Sequence, residues 1–221
     1  MLKISNFISI FFHPLFIAFY NFLFFISLIE AHGAALGFVI TLFFLAGVMI
    51  PVFYTFAIVY NERKQFEWTQ LSDMSMLSRK KLLAYSIIYN VIFLLFVINL
   101  NEAFLGQYKP MFASVLMGFI FLMMMAFVLY LMKIKISLHA LTVAFFCAFC
   151  LIFSWKIPGI EGLENKNSNL YLIFGGINFM VLLAVVWARL KLKAHTNKEI
   201  VLGILIGIFS PVLLTLLTYG I

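Results

Sequence analysis

The sequence predicts an all-α integral membrane protein, a single membrane domain over residues 1–221 with about seven transmembrane helices (six to seven) in one bundle. Three observations predict it. Of 221 residues, 65% are apolar, 10% are charged and 28 are Phe, more apolar surface than a soluble domain of this length can bury. The apolar residues gather into repeated runs of roughly 20, the length of a helix across the hydrocarbon core. The alternation of lipid-facing and lumen-facing residues that marks a barrel strand is missing from those runs.

The elements follow in order. The first span runs from about Ile8 to Leu28 and contains His13-Pro14, where proline suits a first helical turn. It is expected to be a retained span, since no small-residue cleavage site follows it. The second runs from Ala35 to Val59, with Pro51 set to bend it. Residues 61–81 form the longest polar loop, with room for an interfacial helix around Trp68. The third span covers Leu82 to Ile98 and the fourth Pro110 to Met132. The fifth starts almost without a loop near His139 and ends near Trp155; its Cys147 and Cys150 are read as packing residues. The sixth covers Leu170 to Trp187 and the seventh Ile200 to Tyr219. In the seventh, Gly203 and Gly207 stand four apart and invite close approach of another helix.

The charges sort by side. If the spans alternate, the junctions at Lys81, Lys133 and Arg189 emerge on one face together with the N-terminus. Only Lys109, Lys156 and Lys166 of the 15 basic residues lie on the other. A net charge of +7 held at span ends points to anionic headgroups or a phosphorylated substrate, with no nucleic acid partner. The densest junction is Ala188 to Glu199. A helix beginning near His195 sets His195 and Glu199 at i and i+4 on one face. There the carboxylate fixes the imidazole tautomer and leaves the other nitrogen free to attack. Arg189 and its neighbouring lysines draw an anion, most naturally phosphate, towards that nitrogen. Neither a cofactor nor a metal is expected, since no His-Cys-carboxylate cluster is apparent.

Two junctions within residues 79–203 resemble the type-2 phosphatidic acid phosphatase superfamily. That family's third motif is Ser-Arg, five residues, His, three residues, Asp; here Ala188-Arg189, His195 and Glu199 keep both spacings. Its second motif, Pro-Ser-Gly-His, reads Ile136-Ser137-Leu138-His139. Its first, Lys, six residues, Arg-Pro, survives only as Lys81, with Met74 and Leu82 at the lysine and proline positions. The resemblance implies a phosphohistidine mechanism with His195 as nucleophile, Glu199 as its partner and His139 as general acid. Arg189, Ser137, Lys135 and Lys81 would then bind the phosphate.

The reading implied is a membrane phosphatase acting on a lipid phosphate or lipid pyrophosphate, a multi-pass protein of a bacterial inner membrane with membrane lipids as its other partners. The alternative is a catalytically degenerate member of the same fold, a scaffold or anionic-lipid binder. A small transporter or channel subunit stands third, since charges are absent from the span interiors. The charge bias places the site on the cytoplasmic face, whereas bacterial members of the family usually present theirs to the outer side.

Overall fold

A computed structural model of the chain describes residues 2–27, 41, 50–63, 75–100, 109–154 and 168–219, and every ordered element among them is helical. These are α1 (Leu2–Phe11), α2 (Pro14–Ser27), α3 (Ile50–Arg63), α4 (Met76–Asn99), α5 (Lys109–Leu131), α6 (Leu138–Ser154), α7 (Ser168–Lys191) and α8 (Asn197–Tyr219).

Helix α6 is the axle. It carries no charge, proline or glycine, and every residue from His139 to Cys150 is buried. A helix apolar all round with no exposed stripe has to be enclosed by other helices, and α2, α5, α7 and α8 all pack against it. Helix α8 runs parallel to it at backbone contact. A Cβ added at Gly203 would stand 2.8 Å from the Ser137 carbonyl oxygen, and one at Gly207 would stand 2.5 Å from that of Leu141. Only glycine permits this approach. It joins the two helix starts, where the Ser137 N–H donates to the Glu199 carbonyl at 3.1 Å.

Helix α7 runs antiparallel to α6 and returns the chain to the same end. Helix α2 is locked to α7 by a reciprocal amide pair. Asn21 Nδ2 donates to Asn178 Oδ1 at 3.3 Å, and Asn178 Nδ2 donates back to Asn21 Oδ1 at 3.0 Å. In hydrocarbon, polar groups satisfied in this way hold neighbouring helices together. One turn along, Phe24 stacks on Phe174 with ring centroids 3.8 Å apart. Helices α4 and α5 are antiparallel, so the start of α4 lies beside the end of α5, where Arg79 Nη1 donates to Tyr130 Oη at 3.2 Å.

Among the described residues, four helices are long and apolar enough to cross a membrane: Met76–Asn99, Phe112–Leu131, Asn169–Lys191 and Asn197–Leu214. The pair α1 and α2 makes a fifth if it counts as one span, bent by 55° at His13-Pro14, and α6 is shorter. The outer faces carry lipid-compatible side chains, such as Ile88, Ile92 and Leu95 on α4 and Ile173, Met180 and Leu183 on α7. These are the features of an all-α membrane protein. Among the described residues, the helices counted by length and composition do not add up to seven spans. Most of the expected second span and the core of the expected interfacial segment lie outside the described residues.

Candidate functional site

The starts of α4, α6 and α8 and the ends of α1, α5 and α7 meet at one end of the bundle. Two of the turns there share a device. Two residues beyond the ends of α5 and α7 stands a lysine with positive φ, Lys133 at 62° and Lys193 at 52°. Behind them, Ile134 N donates to Leu129 O at 2.8 Å, and Ala194 N donates to Arg189 O at 3.1 Å. Each turn therefore caps the orphan carbonyls of its helix and reverses the chain within a few residues. The second turn delivers His195.

Helix α8 opens on a reciprocal cap. Glu199 N donates to Thr196 Oγ1 at 3.3 Å, and Thr196 N donates to Glu199 Oε2 at 3.4 Å. The same Oε2 accepts from His195 Nδ1 at 2.6 Å, with Lys135 Nζ 3.8 Å away. Burial, with the Arg189 guanidinium beside it, pushes the His195 imidazole from 6.5 down to about 4. The hydrogen bond to Glu199 opposes that shift without cancelling it. His195 is therefore neutral at pH 7. With its Nδ1 proton held by Glu199, Nε2 keeps its lone pair.

The other groups close around it. Arg189, in the last turn of α7, is 1% exposed, and its Nη1 donates to Ser9 Oγ at 2.7 Å. His139, in the first turn of α6, is buried and bonds through Nε2 to the Ser9 carbonyl at 3.1 Å. His13, at the bend between α1 and α2, sets its ring edge-on to His139 with centroids 5.3 Å apart. Arg79 rests on Tyr130, whose hydroxyl donates to Ile136 O at 3.0 Å.

His13, Arg79, His139, Arg189 and His195 all line one cavity, whose space, open mouth included, is about 1090 Å³. Its described lining contains two arginines and no carboxylate. Two guanidinium groups at one chamber can attract an anion. Below the charged head, Leu83, Phe93, Leu116, Phe119 and Met123 continue the cavity into the bundle. Asn90 and Thr142 also line it, but they donate to their own helix carbonyls, Ser86 O at 2.7 Å and Leu138 O at 2.9 Å. Tyr85, Ser86 and Tyr89 line it as well, and the rest of the shaft is apolar.

Of the residues singled out from sequence, His195, His139 and Arg189 line the cavity, and Glu199 stands directly behind His195. Ser137 is fully buried and acts as the cap of α6, its Oγ accepting from Ala140 N at 3.5 Å. Lys135 is exposed and reaches Glu199 from outside; Lys81 is exposed on α4. Neither Ser137, Lys135 nor Lys81 is among the residues lining the cavity. Arg79 occupies the place expected of Lys81. Two residues on a helix are about 200° of rotation apart, so one of the two faces in and the other faces water. Ser9 and His13 carry no motif; the proline after His13 is their only sequence signal. Among the described residues, no group of three His, Cys, Asp or Glu side chains stands close enough to hold a metal ion.

No family model matches the chain, and neither a curated protein nor a solved structure matches it.

Proposed function

We propose that this chain is a membrane phosphatase that hydrolyses a lipid phosphate or lipid pyrophosphate through a phosphohistidine on His195, as a divergent relative of the type-2 phosphatidic acid phosphatases. The observation that carries the reading is the buried neutral imidazole backed by Glu199 at 2.6 Å, opening with Arg79 and Arg189 into a cavity that continues as a largely apolar shaft. Along α4 that shaft extends from Arg79 to Phe93, about 20 Å of helix rise. An amphiphile fits it, with its anionic head between the arginines and its chain below.

Each step assigns a proton and a bond. Nε2 of His195 attacks phosphorus; the N–P bond forms as the P–O bond to the lipid breaks. Glu199 stabilises the imidazolium that results. The substrate binds as its monoanion, and that proton passes to the leaving oxygen through Nδ1 of His139. A water then attacks the phosphohistidine, passing a proton through His139 to the departing phosphate, which leaves as inorganic phosphate and restores His195. Arg79 and Arg189 hold the phosphoryl oxygens throughout. The protein would sit in a bacterial inner membrane with seven spans and its site on the basic, cytoplasmic face.

The test is phosphate release by purified protein from glycerol-based and polyprenyl lipid phosphates, with His195→Ala beside it. Turnover that survives His195→Ala sinks the mechanism. One observation favours a second reading, a lipid binder without turnover: Leu138 lines the cavity where the family's glycine would let backbone approach the phosphate. Binding of these lipids without hydrolysis by the wild type would decide for it.

A further inference from the structure

Helix α1 has the pattern of a helix in lipid, with large apolar residues outward and small hydroxyl residues inward. Its small hydroxyl residues Ser5 and Ser9 are buried, and its large apolar ones, Leu2, Ile4, Phe7 and Phe11, are exposed. Of the two, Ser5 Oγ donates to its own helix at Leu2 O, 3.0 Å away, whereas Ser9 faces the head of the site. The bend behind α1 explains the contact. In an uninterrupted helix the Ser9 carbonyl would accept from His13 N–H and the Ile10 carbonyl from the N–H of residue 14. Pro14 has no N–H, and His13 N donates to Ile10 O at 3.1 Å instead. That leaves the Ser9 carbonyl to His139 Nε2, at 3.1 Å, while the Ser9 hydroxyl takes Arg189 Nη1 at 2.7 Å.

We infer that Ser9 is a positioning residue of the site, its hydroxyl aiming Arg189 at the anion and its carbonyl, released by the His13-Pro14 bend, fixing the tautomer of His139. The inference deepens the phosphatase reading and rests on it. With the Nε2 proton committed to Ser9, Nδ1 of His139 keeps its lone pair and relays the proton of the bound monoanion to the leaving oxygen. The two halves of Ser9 act on different steps. The hydroxyl governs how tightly the anion is held, and the carbonyl governs how well a poor leaving group departs.

The experiment uses the full chain in detergent, titrated with a long-chain alkyl phosphonate, which cannot be hydrolysed, and assayed on lipid phosphates with good and poor leaving groups. Ser9→Ala should weaken phosphonate binding about tenfold, the scale of one hydrogen bond to a charged group, and raise KM more than it lowers kcat. Ser9→Thr should restore binding to within about threefold. Pro14→Ala returns an N–H to the bend and lets the helix reclaim the Ser9 carbonyl. It should lower kcat for the poor leaving group and spare the good one. If Ser9→Ala does not fold, Ser9→Cys, a poorer acceptor of similar shape, carries the same comparison.

Unchanged or tighter phosphonate binding by the alanine (or cysteine) variant overturns the inference, as does an equal loss in Ser9→Thr. So does a Pro14→Ala loss that ignores the leaving group. Phosphonate binding without any turnover by the wild type ends the phosphatase reading, and with it the part given to the Ser9 carbonyl; the titration still decides the part given to the hydroxyl. A wild type that does not bind the phosphonate overturns both.

Discussion

Glu199 closes the cap of α8 and orients His195 with one carboxylate, and the two tasks make the longer side chain useful. A glutamate at the third helical position reaches back to the cap N–H, and from there its Oε2 also meets Nδ1 at 2.6 Å. Glu199→Asp should therefore lower kcat, although aspartate is the residue of the family resembled. Glu199→Gln keeps the cap and removes the charge, so a loss on the order of tenfold to a thousandfold is expected in steady-state kinetics. In the phosphatase proposed, the depressed His195 should set the acid limb of the kcat/KM profile near pH 4, not 6.5, which a pH–rate series checks. The same shift acts on folding. Unfolded chains take up a proton near 6.5 that folded His195 refuses until about 4, so stability falls as pH drops through that window and levels off below it. Thermal unfolding in detergent between pH 7 and 4, compared with His195→Gln, measures this contribution.

How far the residues are legible follows from what sets them. His195, Glu199 and Arg189 can be read because a helix end and a helix start carry their spacing in sequence. Arg79 cannot be separated from Lys80 and Lys81 without the phase of α4, which three adjacent cations do not reveal. Ser9 is hidden because its role depends on a carbonyl released by a bend four residues later.

At the scale of elements, α8 meets α6 through the two glycines. The atoms that a Cβ at Gly207 would strike include the Leu141 carbonyl oxygen, 2.5 Å away, and backbone cannot step aside as a flexible side chain can. Gly207→Ala should destabilise the protein by about 1–3 kcal/mol, as overpacking does, and should also lower activity by parting the starts of α6 and α8. Thermal unfolding and turnover on one preparation test both effects. The turn after α7 gives the opposite expectation. Lys193 holds a left-handed backbone at φ 52°, so Lys193→Gly should raise stability by about 1 kcal/mol. The helices α4 to α8 lie close to the spans read from apolar runs, because a membrane demands length and hydropathy in an unbroken block. The enclosure of α6 is not legible, since an apolar run reads alike whether it faces lipid or protein.

At the scale of the molecule, the seven spans expected from the sequence would place the termini on opposite sides of the membrane. Reporter fusions at the N-terminus and after Tyr219 should therefore disagree. Agreement would remove a span and with it the parity that gathers the basic junctions on one face. Helix α6 carries a consequence of another kind. Its enclosing neighbours α7 and α8 follow it in the chain, so during synthesis the axle emerges before half of its sheath exists. Cys147 and Cys150 lie on α6, 6% and 0% exposed in the finished bundle. A chain halted before α7 would leave both thiols open to a membrane-permeant alkylating reagent, whereas the complete one would shield them. The two cysteines thus serve as a clock for assembly, recording the moment at which the last two helices arrive.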